Sequence, residues 1–154
     1  MPKSGARIKS LIDPTKKMSK SDENQNATVW LLDKPEDARK KIMSATTDSD
    51  RQVHFDREKK PGVSNLLEIY AELKNKSVEE SEQDFKHVTS YKDLKEAVAE
   101  TVVTFLTDLQ EKYHAHYSEG TLEQILQDGA KKSREISHKK LEQIYEKVGF
   151  VKSN

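Results

Sequence analysis

Apolar residues recur every three or four positions through most of residues 61–154. This spacing puts apolar side chains on one face of an α-helix, so most of this half is expected to be helical. Breaks in the helical pattern are predicted at Pro61-Gly62, at Gly120 and at Gly149. The chain is therefore predicted to be mainly α, with a helical bundle at its C-terminal end.

Caps and apolar stripes predict four helices in this half. The first begins near Asn65, and the second opens at a capping box formed by Ser77 and Glu80. The third covers about 91–117 and the fourth about 121–148. The stripes expected to be buried on these two long helices are Leu94, Ala97, Val98, Val102, Phe105, Leu106, Leu109 and Tyr113, and Leu122, Ile125, Leu126, Ala130, Ile136, Leu141, Ile144 and Val148.

The N-terminal part of the chain is expected to be a small strand and loop region. A short strand is predicted over residues 4–12, and residues 28–32 form a second β-prone run. Asp33, with Glu36 three positions on, predicts the N-terminal cap of a helix over about 34–45. The residues of that helix expected to face inward are Ala38, Ile42 and Met43, and those expected to face solvent are Arg39, Lys40 and Lys41.

The balance of charged residues differs between the part before residue 61 and the helical part that follows. Residues 1–60 carry 14 Lys and Arg residues against 10 Asp and Glu, whereas residues 61–154 carry 13 against 17. A basic first part suits an anionic ligand, while the acidic second part is not an obvious nucleic-acid surface. Two domains are therefore expected, 1–60 and 61–154.

Composition argues against several classes of site. The chain has no cysteine, which leaves neither a disulfide framework nor a thiolate metal site. No apolar run approaches the length that crosses a membrane, and a cytoplasmic protein is expected. His114 and His116 are two positions apart on a predicted helix and do not face each other. No metal site is predicted.

One short basic stretch stands out in the first part. It consists of residues 17–21, Lys-Met-Ser-Lys-Ser, which we call the lysine loop. Ammonium groups supply charge for a polyphosphate, and hydroxyl and backbone N–H groups can bind its oxygens. Residues 7–59 contain no glycine, so the backbone is not expected to wrap phosphates as a glycine-rich loop does. By composition alone the stretch is a solvated basic loop.

The order Lys-Met-Ser-Lys-Ser resembles the signature loop of class I aminoacyl-tRNA synthetases. Residues 5–11, 46–49 and 60–67 are similar to blocks of the bacterial-type tryptophanyl-tRNA synthetases, and the resemblance covers about residues 4–151. The second signature of the class, His-x-Gly-His or a close variant, begins at none of the five histidines. The resemblance therefore implies only the C-terminal half of such an enzyme. That half contains the end of a Rossmann-type catalytic domain and a helical tRNA-binding domain.

The resemblance also implies a reaction and roles for residues. In this family ATP and tryptophan give tryptophanyl-adenylate and pyrophosphate, and the aminoacyl group then passes to tRNA(Trp). Lys17 and Lys20 match the motif's two lysines and are expected to be catalytic, stabilising charge on the departing pyrophosphate. Ile8 matches the position whose backbone reads the adenine ring, and residues 46–49 are expected to brace the loop. The residues expected to bind ATP are Ile8, Lys17, Met18, Ser19, Lys20 and Ser21.

The partners implied are ATP with Mg²⁺, tRNA(Trp) and tryptophan, whose pocket lies in the half that is absent here. No membrane partner is expected. Full-length members are homodimers through the absent half, so this chain alone is expected to be inactive and could be monomeric. One alternative stays open, a stand-alone helical RNA-binding or interaction module without catalytic activity. Within the synthetases, the tyrosine enzymes are the nearest competitor.

Overall fold

The fold, seen in a computed structural model, is described for residues 7–118 and 120–150. A three-residue 3-10 helix, Gln25–Ala27, precedes the α-helices. The α-helices of this part of the chain are α1 (Pro35–Met43), α2 (Pro61–Lys74), α3 (Val78–Asp84), α4 (Tyr91–Ser118) and α5 (Thr121–Val148). The mainly α class predicted from the sequence is confirmed.

Both predicted strands are wrong within the described residues. Residues 4–6 of the first lie outside them, and the rest of that segment gives one isolated antiparallel bridge, between Lys9 and Lys17. Residues 28–32 run into a turn, with Leu31 and Leu32 each 58% exposed. β-Propensity reports how well a side chain fits a pleated, half-buried surface, and this run has no such surface to pack on.

Contacts divide the chain into two compact units, Met1–Gln110 and Glu111–Asn154. In the first unit, α1, α2 and the first part of α4 enclose a core that includes Leu11. The α4 stripe is buried as predicted at Leu94, Val98, Val102 and Leu106, whereas Ala97 and Leu109 are half-buried and Phe105 and Tyr113 are 41% and 42% exposed. The fully buried large side chains of this core are Leu11, Ile42, Val63, Leu66, Leu67, Leu94, Val98 and Leu106. The functional division predicted at residue 60 stays a prediction.

Helix α1 keeps its predicted inward face, since Ala38 and Ile42 are buried. Its predicted cap is wrong, because Asp33 makes no capping bond to the helix. Its carboxylate instead accepts a hydrogen bond from the Lys41 ammonium at 2.7 Å. Lys41, predicted to face solvent, is buried and also donates to the Thr28 carbonyl at 3.0 Å. This ammonium joins α1 to the segment that precedes it.

At the next two helices the sequence signals gave one wrong start and one confirmed cap. Helix α2 begins at Pro61, four residues before the predicted start, because proline suits a first helical position that needs no N–H partner. At α3 the capping box is confirmed: the Ser77 hydroxyl accepts the Glu80 N–H at 3.1 Å, and the Glu80 carboxylate accepts the Ser77 N–H at 2.7 Å.

The second unit contains the end of α4 and all of α5. Gly149 ends α5 in the left-handed conformation with φ 74°, as predicted. The predicted burial of the α5 stripe is wrong for this unit by itself, since no described residue of α5 is buried and Ile136 is 72% exposed. So small a unit buries too little surface to form a core of its own. In the described part of the chain, no helix combines the length and apolar character needed to cross a membrane.

Candidate nucleotide-binding loop

The lysine loop begins at a narrow antiparallel pairing. The Met18 N–H donates to the Ile8 carbonyl, and the Ser10 N–H donates to the Lys16 carbonyl, both at 3.0 Å. These bonds hold the segment before the turn alongside the start of the loop. The structure thus brings together Ile8 and Met18, two of the residues predicted to bind ATP.

The middle of the loop is fixed at a second point, next to the first. The Ser19 carbonyl accepts the hydroxyl of buried Thr28 at 2.9 Å. The Ser19 hydroxyl lies 3.0 Å from the Ser21 hydroxyl and accepts the Ser21 N–H at 3.3 Å. The two serines predicted to bind phosphate oxygens therefore lie side by side and bond to each other.

The lysine loop exposes two positive charges, those of Lys17 and Lys20. Lys17 and Lys20 are exposed, whereas Met18 is half-buried and packs against the core. Among the described residues neither ammonium forms an ion pair, whereas that of the neighbouring Lys16 lies 3.0 Å from the Asp13 carboxylate. The two lysines predicted to be catalytic can therefore bind an anion without giving up a carboxylate partner.

Ile8 and Met18 also line an apolar groove of ≈ 340 Å³, with side chains of α2 and α4 that include Leu73 and Phe105. The Ile8 carbonyl already accepts a hydrogen bond from Met18. Adenine recognition by the Ile8 backbone stays a prediction.

Two polar side chains from later in the chain hold the segment before the turn. Buried Asn65 accepts the Lys9 N–H at 2.7 Å and donates its amide to the Lys9 carbonyl at 2.9 Å. Thr46 donates its N–H to the Leu11 carbonyl at 2.8 Å and its hydroxyl to the Ile12 carbonyl at 2.7 Å. Thr46 belongs to the block expected to brace the loop. Asn65 was missed: the sequence places it in a matching block but gives no sign of its contact.

Gly62 lets the Thr46 backbone lie directly against the first turn of α2. A Cβ atom at Gly62 would penetrate the Thr46 carbonyl oxygen and crowd its carbonyl carbon at 3.1 Å. The close approach therefore requires glycine.

A buried lysine, Lys60, directly precedes α2 and bonds three side chains. The Lys60 ammonium lies 3.0 Å from the Asp48 carboxylate and 2.9 Å from the Tyr91 hydroxyl, and it pairs with Asp50. The Tyr91 hydroxyl lies 2.8 Å from the Asp50 carboxylate and 3.2 Å from the Gln52 carbonyl. We call Asp48, Asp50, Lys60 and Tyr91 the Lys60 cluster.

The protonation of the Lys60 cluster follows from these contacts. Burial alone would lower the pKa of Lys60, but its hydrogen bonds to Asp50, Tyr91 and Asp48 outweigh burial and raise that pKa. The hydrogen bond from Lys60 is the main cause that lowers the pKa of Asp50. Burial would raise the pKa of Asp48, yet hydrogen bonds from Tyr91 and Lys60 lower it. The cluster therefore holds a charged lysine between two carboxylates.

The described residues do not fit a metal ion held by the protein. They include no group of three or more His, Asp or Glu side chains arranged to bind a cation. Lys60 and Tyr91 bond one oxygen each of Asp48 and Asp50, and although the other Asp48 oxygen is buried without a hydrogen-bond partner in the described part of the chain, the charged Lys60 ammonium disfavours a cation there. Mg²⁺ commonly reaches nucleotide sites on substrate phosphates, and the Mg²⁺ expected with ATP stays a prediction.

Comparisons with known proteins were made on the sequence and on the fold. A family profile described as "tRNA synthetases class I (W and Y)" matches residues 3–107. The tryptophan–tRNA ligase of Malacoplasma penetrans (strain HF-2) is 46% identical over 146 residues, which are 95% of this chain and 43% of that protein. That of Bacillus subtilis (strain 168) is 46% identical over 150 residues, which are 97% of this chain and 45% of that protein.

Among solved structures, the crystal structure of tryptophanyl-tRNA synthetase from Mycoplasma pneumoniae matches with a TM-score of 0.78 and 36% identity. The match covers 96% of this chain and 45% of that one. The chain therefore spans less than half the length of the relatives it matches.

Proposed function

This chain belongs to the class I tRNA synthetases of the W and Y group, and we propose that it supplies the pyrophosphate-binding loop and anticodon-binding helices of a tryptophan–tRNA ligase. The resemblance to bacterial-type tryptophanyl-tRNA synthetases is confirmed over the C-terminal half of those proteins. The proposed reaction is ATP-dependent activation of tryptophan, followed by transfer to tRNA(Trp).

The observation that carries this proposal is a loop that is held at Met18 and Ser19 and exposes the two lysines on either side of them. When the tryptophan carboxylate attacks the α-phosphate of ATP, negative charge builds on the departing pyrophosphate. Ammonium groups from Lys17 and Lys20 placed beside that charge stabilise the transition state more than the ground state, which is the condition for raising the rate.

The serines of the loop and its fixed point have further roles in this proposal. The hydroxyls of Ser19 and Ser21, now bonded to each other, would exchange that bond for bonds to phosphate oxygens. The pairing at Met18 and the contact of Ser19 with Thr28 hold two adjacent residues, so closure over ATP would move Lys20 and the residues after it while this point stays fixed. Met18, packed on the core, anchors the loop at this point.

The helices of the second unit are proposed to receive the tRNA anticodon. Tyr113 and Tyr117 are 42% and 64% exposed, with ring centroids 5.9 Å apart, and aromatic rings of this kind stack on single-stranded bases. Tryptophan binding, dimerisation and a cytoplasmic location remain expectations from the resemblance to the whole enzymes.

The alternative, a stand-alone RNA-binding or interaction module without catalytic activity, is favoured by one observation. Helix α5 leaves its apolar stripe exposed, which suits contact with a partner. This alternative predicts binding that is independent of the lysine loop.

Supplying the N-terminal half of a relative separates the two functions. This chain would be mixed with the N-terminal half of the Bacillus subtilis relative, and tryptophan-dependent ATP–pyrophosphate exchange measured. We expect Lys20→Ala to lower the exchange rate about 100-fold, as loss of a preorganised charge partner does. Lys16→Ala is the matched control, an exposed neighbour paired with Asp13, and should leave the rate unchanged.

Two results would overturn the proposal. One is a folded, associated pair that shows no exchange, and the other is exchange that is indifferent to Lys20. Either would leave the interaction module as the better description.

A further inference from the structure

Asn65 makes two hydrogen bonds to the backbone of one residue that is 56 positions away. Its side-chain oxygen accepts the Lys9 N–H at 2.7 Å, and its side-chain nitrogen donates to the Lys9 carbonyl at 2.9 Å. Asn65 itself is only 2% exposed. Loss of the amide would leave a backbone donor and acceptor without these partners.

The pairing of Lys9 explains why it needs such a partner. In an antiparallel pair, a residue whose two neighbours make the hydrogen bonds turns its own N–H and carbonyl to the other side. Lys9 is such a residue, because Ile8 bonds Met18 and Ser10 bonds Lys16. The Asn65 amide, with one acceptor and one donor, occupies the place that a third strand would take.

This contact joins the base of the lysine loop to the interior of the first unit. The residues that follow Asn65 on α2, Leu66 and Leu67, are fully buried. The base of the loop is therefore attached to one of the best-packed parts of the fold.

We propose that Asn65 is a positioning residue for the lysine loop. By holding the Lys9 backbone, Asn65 fixes the position of Lys17 and Met18, which pair with this segment. It thereby fixes the positions from which the ammonium groups of Lys17 and Lys20 reach a phosphate. The inference rests on the proposed role of the loop in binding pyrophosphate.

Ser64 provides a matched control. It precedes Asn65 on α2, is 1% exposed, and accepts the Asp56 N–H at 2.9 Å. Its side chain thus makes the same kind of buried bond, but to a backbone segment that does not pair with the lysine loop. Ser64→Ala tests the cost of losing a buried bond on α2 without changing the contact to Lys9.

The experiment uses the full chain labelled with ¹⁵N. Inorganic pyrophosphate is titrated by NMR, and amide hydrogen exchange of Met18 is followed in parallel. For Asn65→Ala we expect faster exchange at Met18 and pyrophosphate binding weakened about tenfold, as loss of two ordinary hydrogen bonds implies. Ser64→Ala should change neither quantity, although it also lowers the unfolding temperature.

Asn65→Asp covers the case in which Asn65→Ala does not fold. The carboxylate keeps the shape and still accepts the Lys9 N–H but cannot donate to the Lys9 carbonyl, so Met18 exchange should again rise. Met18 exchange and pyrophosphate affinity equal to those of Ser64→Ala, in whichever Asn65 variant folds, would overturn the inference.

The same titration distinguishes failure of the proposed function. If wild-type loop amides do not respond to pyrophosphate, or respond equally in Lys20→Ala, the proposed function fails. The Met18 exchange measurement still decides whether Asn65 holds the base of the loop.

Discussion

Lys20 in the lysine loop and Lys60 in the Lys60 cluster are the same side chain in opposite surroundings. Lys60 is 2% exposed and surrounded by two carboxylates and a tyrosine hydroxyl. Lys20 is exposed and, among the described residues, has no carboxylate paired with it. A buried ammonium must be partnered to offset its lost hydration, whereas one in water can stay available to a ligand. The difference gives Lys60 a structural role and leaves Lys20 available for the binding role proposed for it.

The largest expected effect on this comparison comes from Lys60→Met. Removing the buried ammonium takes a hydrogen-bond partner from the buried Tyr91 hydroxyl and the partly buried Asp48 carboxylate, and we expect a loss of about 3 kcal/mol in unfolding free energy. Urea unfolding of the chain measures it. Lys20→Met is the control and should change stability by less than about 0.5 kcal/mol. Similar losses for both variants would show that the two surroundings do not differ as described.

A somewhat smaller effect is expected for Gly62→Ala. The added Cβ meets the Thr46 carbonyl, so the segment that supports the lysine loop must shift, at a cost of about 2 kcal/mol. Gly129→Ala, where a Cβ meets nothing within 4 Å, should be neutral or stabilising. Urea unfolding of both variants checks the prediction, and an equal response would contradict the close approach at residue 62.

The smallest effect is a dependence on acid. The pKa values of Asp48 and Asp50 are lowered in the folded chain, so unfolding adds protons and their stabilisation is present above the ordinary pKa. It is lost as pH falls below about 4, the unfolded value. We expect unfolding free energy to fall from pH 5 to pH 3 in the wild type and less steeply in Lys60→Met. Parallel slopes in the two proteins would refute this coupling.

Sequence patterns predicted what is decided locally. The capping box of α3 needs only Ser77 and Glu80, three residues apart, and it is present. The position of the lysine loop on the surface also follows from its composition. Both properties depend on neighbours along the chain.

Properties that depend on distant residues were not predicted. Asp33 looked like a helix cap, but Lys41 competes for its carboxylate and the cap does not form. The contact of Asn65 with Lys9 crosses 56 positions and carries no periodic signal. The α4 and α5 stripes look alike in the sequence, yet only the first part of the α4 stripe is largely buried, because burial requires a second surface that periodicity does not report.

The Asn65 contact has a consequence for how this chain can diverge. Asn65 binds Lys9 only through backbone atoms, which every residue except proline supplies. Position 9 can therefore accept many substitutions in the course of evolution without disturbing the contact. No change at position 9 can replace an amide lost at position 65, so the two ends of one contact are expected to evolve at very different rates.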